Sequence, residues 1–187
     1  MPRNHNDKEK YREKVLILGD AAVGKTTLTK RFLSGVFEED YKLTIGMDFY
    51  VKKVEVDDEI IKLQIWDFAG EDKFRFILPN VLFGAKGAIF MYDITRIGTF
   101  NHLNDWLSVF QKANQKHNQE VPVILVGGKL DLEDLRTVPK EKGAFFAQKN
   151  DFQGFLECSS KTGYNVEKVF KNLARVVIEQ TNVINEF

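Results

Sequence analysis

The eight residues Gly19-Asp20-Ala21-Ala22-Val23-Gly24-Lys25-Thr26 fit the pattern GxxxxGK[ST] and stand directly between two segments of opposite character. Before them, Val15–Leu18 is an apolar run too short for a helix and closed by Gly19, which predicts a buried strand. After them a helix is predicted over Lys25–Ser34. A strand that feeds a glycine-bearing loop and then a helix points to an α/β arrangement, with the helix N-terminus at the carboxyl end of a strand. The same residues imply a chemistry. The loop turns successive backbone N–H groups of Ala21, Ala22, Val23 and Gly24 toward a phosphate, and the helix dipole adds positive potential. Lys25 reaches the β and γ phosphates, Thr26 offers a hydroxyl to Mg²⁺, and Thr27 adds a phosphate contact. The pattern does not choose a base, because ATPases, nucleotide kinases and GTPases share it.

The rest of the chain repeats the strand–helix alternation. From Phe49 to Trp66, Ile61, Leu63 and Ile65 alternate with polar neighbours, a period of two that predicts a hairpin turning at Asp57 and Asp58. Buried strands are expected at Ala88–Tyr92 and Val121–Val126. Between them Phe100, Leu103, Trp106, Leu107 and Phe110 fall at helical spacing. A last strand near Phe155–Cys158 precedes a helix with Val166, Val169, Phe170, Leu173 and Val177 on one face. At 187 residues the chain has room for one domain, expected over 14–180, with a charged arm at 1–13 and a short tail at 181–187. Lys plus Arg and Asp plus Glu are 27 each, which disfavours a nucleic-acid partner. Cys158 is the sole cysteine, so no internal disulfide forms, in keeping with a reducing cytosol. The polar first residues lack a signal-peptide core, and the tail as given has no cysteine for a lipid anchor.

Four further segments follow in a fixed order, and with them the chain resembles the Ras superfamily of small GTPases over about Lys14–Gln180. YKLTIGMDF at Tyr41–Phe49 is similar to the effector loop, LQIWDFAGED at Leu63–Asp72 to the DxxG segment, VGGKLDL at Val126–Leu132 to the guanine-reading NKxD, and ECSSK at Glu157–Lys161 to the last guanine loop. IGMDF, LQIWD and MYDIT look most like the Rab branch. The resemblance implies a three-layer α/β P-loop domain, a six-stranded mostly parallel sheet of order 2-3-1-4-5-6 and five helices.

It also implies roles. Thr26, Thr44 and Asp67 would hold Mg²⁺, and Thr44 and Gly70 would meet the γ-phosphate with backbone N–H groups. Asp131 would read guanine N1–H and its exocyclic amine, Lys129 would lie along the base, Ser159, Ser160 and Lys161 would shape the pocket, and Phe37 and Tyr41 would border the nucleotide. Switch segments are expected at about 37–46 and 68–82. GTP hydrolysis would use Lys25, Thr44, Gly70 and the residue after DxxG. Effector, exchange-factor and activating proteins would be the partners of a cytoplasmic monomer that reaches membranes through them.

Three positions depart from the pattern. Glu71 stands where the family has a water-orienting glutamine; ionised, it accepts but does not donate, which predicts slow hydrolysis. Ala21 stands where many relatives have glycine or serine; in the family a side chain there obstructs an arginine arriving from a partner, so stimulation by that route is not expected. Gly128 replaces the asparagine of NKxD, which predicts binding weaker by roughly 1 kcal/mol. Two other readings stay open. One is a GTP-binding module with little hydrolysis; the other is a P-loop kinase, which would need an acceptor pocket and an arginine-bearing lid. His5, His102 and His117 lack ligand spacing, and the dense apolar run Phe74–Phe83 is either core or a partner surface.

Overall fold

The computed structural model describes residues 11–38, 44–70 and 76–185. Strand β1 (Tyr11–Leu18) starts inside the expected arm: Tyr11 is buried and pairs with Ile61. The extension was hidden because the first half of β1, YREK, borders the sheet with charged residues and lacks the apolar run that marks the second half.

After the phosphate-loop residues, α1 (Lys25–Ser34) ends at Gly35, whose left-handed φ of 73° closes the helix on the Arg31 carbonyl. β2 (Met47–Val56) and β3 (Glu59–Phe68) form the expected antiparallel hairpin. Its two-residue turn has Asp57 and Asp58 at φ 50° and 65°, the left-handed pair that matches strand twist.

Next come α2 (Leu78–Leu82), β4 (Gly87–Asp93), α3 (Ile97–Asn101) and α4 (Leu103–His117). β5 (Val123–Gly128), a 3-10 segment (Leu130–Leu135), α5 (Lys140–Lys149), β6 (Gly154–Glu157) and α6 (Val166–Asn185) complete the order. Six helices appear among the described residues where five were expected, because the segment after β4 breaks at His102 into α3 and α4. β5 lies two residues later than expected: Pro122 has no N–H to give the ladder, while Gly127 and Gly128 pair with Tyr92 and Asp93. α6 continues past 180 into the expected tail, with Ile178 still buried.

The sheet order is β2-β3-β1-β4-β5-β6, with all neighbours parallel except β2 and β3. A parallel sheet is covered on both faces, so its strands are apolar on both sides. Val15 and Ile17 of β1 pack with α1 and α6, while Leu16 and Leu18 pack with α2, α4 and α5. β1 is thereby fixed at the centre, and its carboxyl end carries the glycine-bearing loop.

Candidate nucleotide site

The loop between β1 and α1 folds as its glycines require. Gly19 and Gly24 have φ of 138° and 104°, and Ala22 also enters the left-handed region at 58°. A side chain at Gly19 would run into the Met91 carbonyl of β4. Lys25 is 6% exposed, and its amine is held inside the turn by the carbonyls of Gly19 at 2.8 Å and Asp20 at 2.7 Å. Burial lowers its pKa to about 8, with Asp67 and Asp20 opposing that shift and Arg96 adding to it. Asp20 is clasped from α4 and the residue before it, by Trp106 Nε1 on Oδ1 at 2.9 Å and by His102 Nδ1 against Oδ2 at 2.6 Å. His102 therefore has a structural partner, which its isolated place in the sequence did not suggest.

The three residues expected around Mg²⁺ meet. Thr26 Oγ1 donates a short hydrogen bond to Asp67 Oδ2, so the 2.7 Å contact between Thr26 Oγ1 and Thr44 Oγ1 has Thr44 donating. Asp67 is fully buried at the end of β3, and its Oδ1 has no hydrogen-bond partner among the described residues. Burial raises its pKa to about 6 against the pull of Thr26 and Lys25. A buried carboxylate oxygen without a donor is costly unless a cation meets it. One carboxylate and two hydroxyls suit a hard cation that keeps waters and phosphate oxygens in its remaining positions, so the residues fit Mg²⁺. No group of three or more His, Cys, Asp or Glu capable of an all-protein metal cage occurs among the described residues.

Gly70 follows β3 and lies against the loop. A β-carbon there would overlap the backbone of Asp20 and Ala21, so only glycine allows this approach. Phe37 is half-buried just beyond α1. Tyr41 and Glu71 lie outside the described residues, as do Asp72 and Phe74.

At the other side of the loop, the ends of β5 and β6 come together. Leu130 N–H donates to the Cys158 carbonyl at 3.0 Å, and Cys158 N–H to the Gly127 carbonyl at 2.9 Å. Asp131 is exposed and accepts from Ser159 Oγ at 2.6 Å, while the Thr162 N–H caps the same Ser159 oxygen at 3.1 Å. Ser160 is half-buried and Lys161 exposed beside them. Lys129, at left-handed φ 67°, places Nζ 2.7 Å from Asp93 Oδ2.

Sequence reasoning missed Asp93 and Arg96. Arg96 Nε donates to the same Asp93 oxygen at 3.0 Å, and its Nη2 donates to the Ala21 carbonyl at 3.1 Å. Their position at the carboxyl end of a central strand was the available signal. Met91 was also missed. Its Sγ-bound methyl fills the space in front of Gly128, where an added β-carbon would overlap it and stand 3.2 Å from the Val23 carbonyl.

Phosphate loop, carboxylate-hydroxyl cluster and the joined β5–β6 loops thus share one rim of the sheet, each at the end of a parallel strand. A sequence model of the Ras family matches residues 14–179, nearly the whole described fold, and the chain belongs to that family of small GTPases.

Proposed function

We propose that this chain is a slow GTP-hydrolysing switch of the Rab-like branch, binding GTP or GDP with Mg²⁺. The meeting of Thr26, Thr44 and Asp67 around an unsatisfied buried carboxylate oxygen carries the reading. It joins the phosphate loop to the first segment expected to switch and to the strand end that leads into the second.

Bound Mg²⁺ would neutralise charge on the β and γ phosphate oxygens. Lys25 and the N–H groups from Ala21 to Thr27 orient the phosphate chain for in-line attack by water. Thr44 and Gly70 hold the γ-phosphate, and its loss frees both segments. Asp131, fixed by Ser159, pairs with the two guanine donors that adenine lacks. Lys129, Ser160, Lys161, Phe37 and Tyr41 complete the nucleotide pocket. Glu71 makes the step slow, because an ionised carboxylate orients water poorly and repels the γ-phosphate.

The partner face is the sheet edge beside these segments. Ile45, Phe49 and Val51 are exposed there with Phe76 after the second segment, and Phe49 packs edge-on against Trp66 at 5.4 Å between ring centroids; Phe83 is exposed elsewhere, beside His117. Leu78 and Leu82, from the same dense apolar run, are instead core. Effector, exchange-factor and activating proteins bind this face of a cytosolic monomer, which serves signalling or vesicle traffic and reaches membranes through such partners.

The test is single-turnover hydrolysis of GTP by Mg²⁺-loaded protein, wild type against Glu71→Gln, with GTP and ATP binding measured alongside. Selective GTP binding and hydrolysis that quickens in Glu71→Gln support the switch. Selective binding without turnover favours a nucleotide-stabilised interaction module, and a preference for ATP overturns both.

A further inference from the structure

The turn after β4 brings Arg96 over the outer side of the phosphate loop. Its backbone is pinned at both groups. Arg96 N–H donates to the Asp93 carbonyl at 3.0 Å, and the Arg96 carbonyl accepts from Thr99 N–H at 3.0 Å and Thr99 Oγ1 at 2.8 Å. Asp93 is held in its turn by Thr95, through N–H at 2.9 Å and Oγ1 at 2.6 Å on Oδ1. The guanidinium is therefore delivered to the Ala21 carbonyl by a rigid mount, yet its side chain remains 44% exposed.

Charge and donor count both argue that this arginine is more than a strut. Asp93 already has Lys129 at 2.7 Å and both Thr95 donors, so Arg96 leaves the cluster with one carboxylate between two cations. That guanidinium stands over the same turn whose Gly19 and Asp20 carbonyls hold the Lys25 amine. A guanidinium with Nη2 on the loop carbonyl and Nε on Asp93 still has donors to offer a phosphate oxygen, and its planar fork suits that ligand. An arginine from a partner would meet the Ala21 side chain, whereas Arg96 arrives from within the chain.

We propose that Arg96 is a catalytic residue supplied in cis, whose guanidinium contacts the nucleotide phosphates beside Ala21 and Ala22 during GTP hydrolysis. This rests on the hydrolytic reading above. In the step, the water oxygen bonds to the γ-phosphorus as the bond from that phosphorus to the β–γ bridging oxygen breaks. The electron pair stays on the bridging oxygen of GDP, and the proton of water ends on the released phosphate. Arg96 donates hydrogen bonds to the oxygens that gain charge and keeps its own protons.

The experiment loads the full chain with GDP and Mg²⁺, adds aluminium fluoride with no partner protein, and follows trapping of the transition-state mimic by ¹⁹F NMR. Single-turnover GTP hydrolysis and GDP affinity are measured in parallel. Wild type is expected to trap the fluoride. Arg96→Ala and Arg96→Gln are expected to lose trapping and about 30-fold in hydrolysis rate, a conservative share of what an arginine supplies, with GDP affinity within about threefold. The glutamine variant keeps a neutral donor for the Ala21 carbonyl, so loss of trapping in both variants supports the proposal even where alanine disturbs folding. Trapping by either variant overturns it, as does a fall in rate matched by an equal fall in GDP affinity. Wild type that hydrolyses GTP at the same rate as both variants overturns this inference alone; wild type that binds GTP but neither hydrolyses it nor traps fluoride overturns the hydrolytic reading as well.

Discussion

Restoring the family's asparagine at Gly128 should weaken this protein rather than strengthen it. From sequence, Gly128 is a lost amide worth roughly 1 kcal/mol, and Gly128→Asn would regain it. The structure puts Met91 in that space. Met91 is buried at the centre of β4, and a β-carbon on Gly128 would overlap its methyl while standing 3.2 Å from the Val23 carbonyl and 3.4 Å from the Tyr92 carbonyl. The two carbonyls belong to the loop and the strand and cannot retreat, so the methyl must leave a slot that it shares with Gly24, whose own β-carbon would lie 3.5 Å away. Overpacking of this kind costs about 1–3 kcal/mol, more than the one hydrogen bond gained. The expected net loss is about 1 kcal/mol, or roughly fivefold faster GDP release. Met91→Val alone should cost about 1–2 kcal/mol, because it empties the same slot. The double variant Met91→Val/Gly128→Asn should recover most of both losses, with a coupling of at least about 1 kcal/mol. Release of a fluorescent GDP analogue and urea denaturation of the Mg²⁺·GDP form measure the cycle. Slower GDP release in Gly128→Asn without loss of stability, or strict additivity in the cycle, would refute the reasoning.

Three other outcomes follow from the site. Gly70→Ala collides with the backbone of Asp20 and Ala21; it should keep GDP affinity within about threefold yet lose the GTP-dependent change in Trp66 fluorescence, since only the γ-phosphate state needs that approach. Burial drives the Cys158 thiol up to about 12, with Asp131 and Glu157 adding to it, so a disulfide reagent at pH 8 should label the protein only as fast as it unfolds globally. Burial alone would raise the Asp93 carboxyl, but Lys129 and Thr95 outweigh it and hold it below its ordinary value. A depressed carboxyl stabilises the fold above its unfolded pKa near 4, and that contribution fades as pH falls through the folded value. The stability gap between wild type and Asp93→Asn should thus be flat above pH 5, at about 1–2 kcal/mol given two half-exposed cations, and should narrow below pH 4 in urea titrations.

What the sequence made legible was local or ordered along the chain. Period-two alternation with Asp57-Asp58 gave the hairpin, and the continuous apolar strands gave a sheet covered on both faces. Lys25, Thr26, Thr44, Asp67, Asp131 and Ser159 could be named because each belongs to a short segment that occurs in a fixed order along the chain. Tyr11 was misread because a strand's charged half looks like a solvated arm until its partner, Ile61, is known. Met91 and Gly128 were read separately, as a core residue and a lost amide, although one fills the space of the other. Arg96 carried no signal beyond its place after the end of a central strand. These three depend on the sheet order placing β4 between β1 and β5, and on a register that no local pattern reports.

That order also decides how the site is coupled. β1 has β3 on one side and β4 on the other, so the phosphate loop is held between two sets of contacts. On the β3 side, Gly70 lies on its backbone and Asp67 takes the Thr26 hydroxyl. On the β4 side, Arg96 holds the Ala21 carbonyl and Met91 fills the gap to Gly128, while Asp93 ties Lys129 to the same corner. A γ-phosphate would act on the first set and reach the second only through Arg96, whereas a base would meet the second alone. Because both sets bear on the same short loop, whose backbone is fixed by left-handed turns at Gly19, Ala22 and Gly24, a shift on one side cannot be absorbed without moving the other. Replacing the family's amide by a methionine contact on the β4 side therefore exchanges a directional tie for a packed one. Packed contacts tolerate small sliding that a hydrogen bond resists, so the base side of this loop should yield before the phosphate side does.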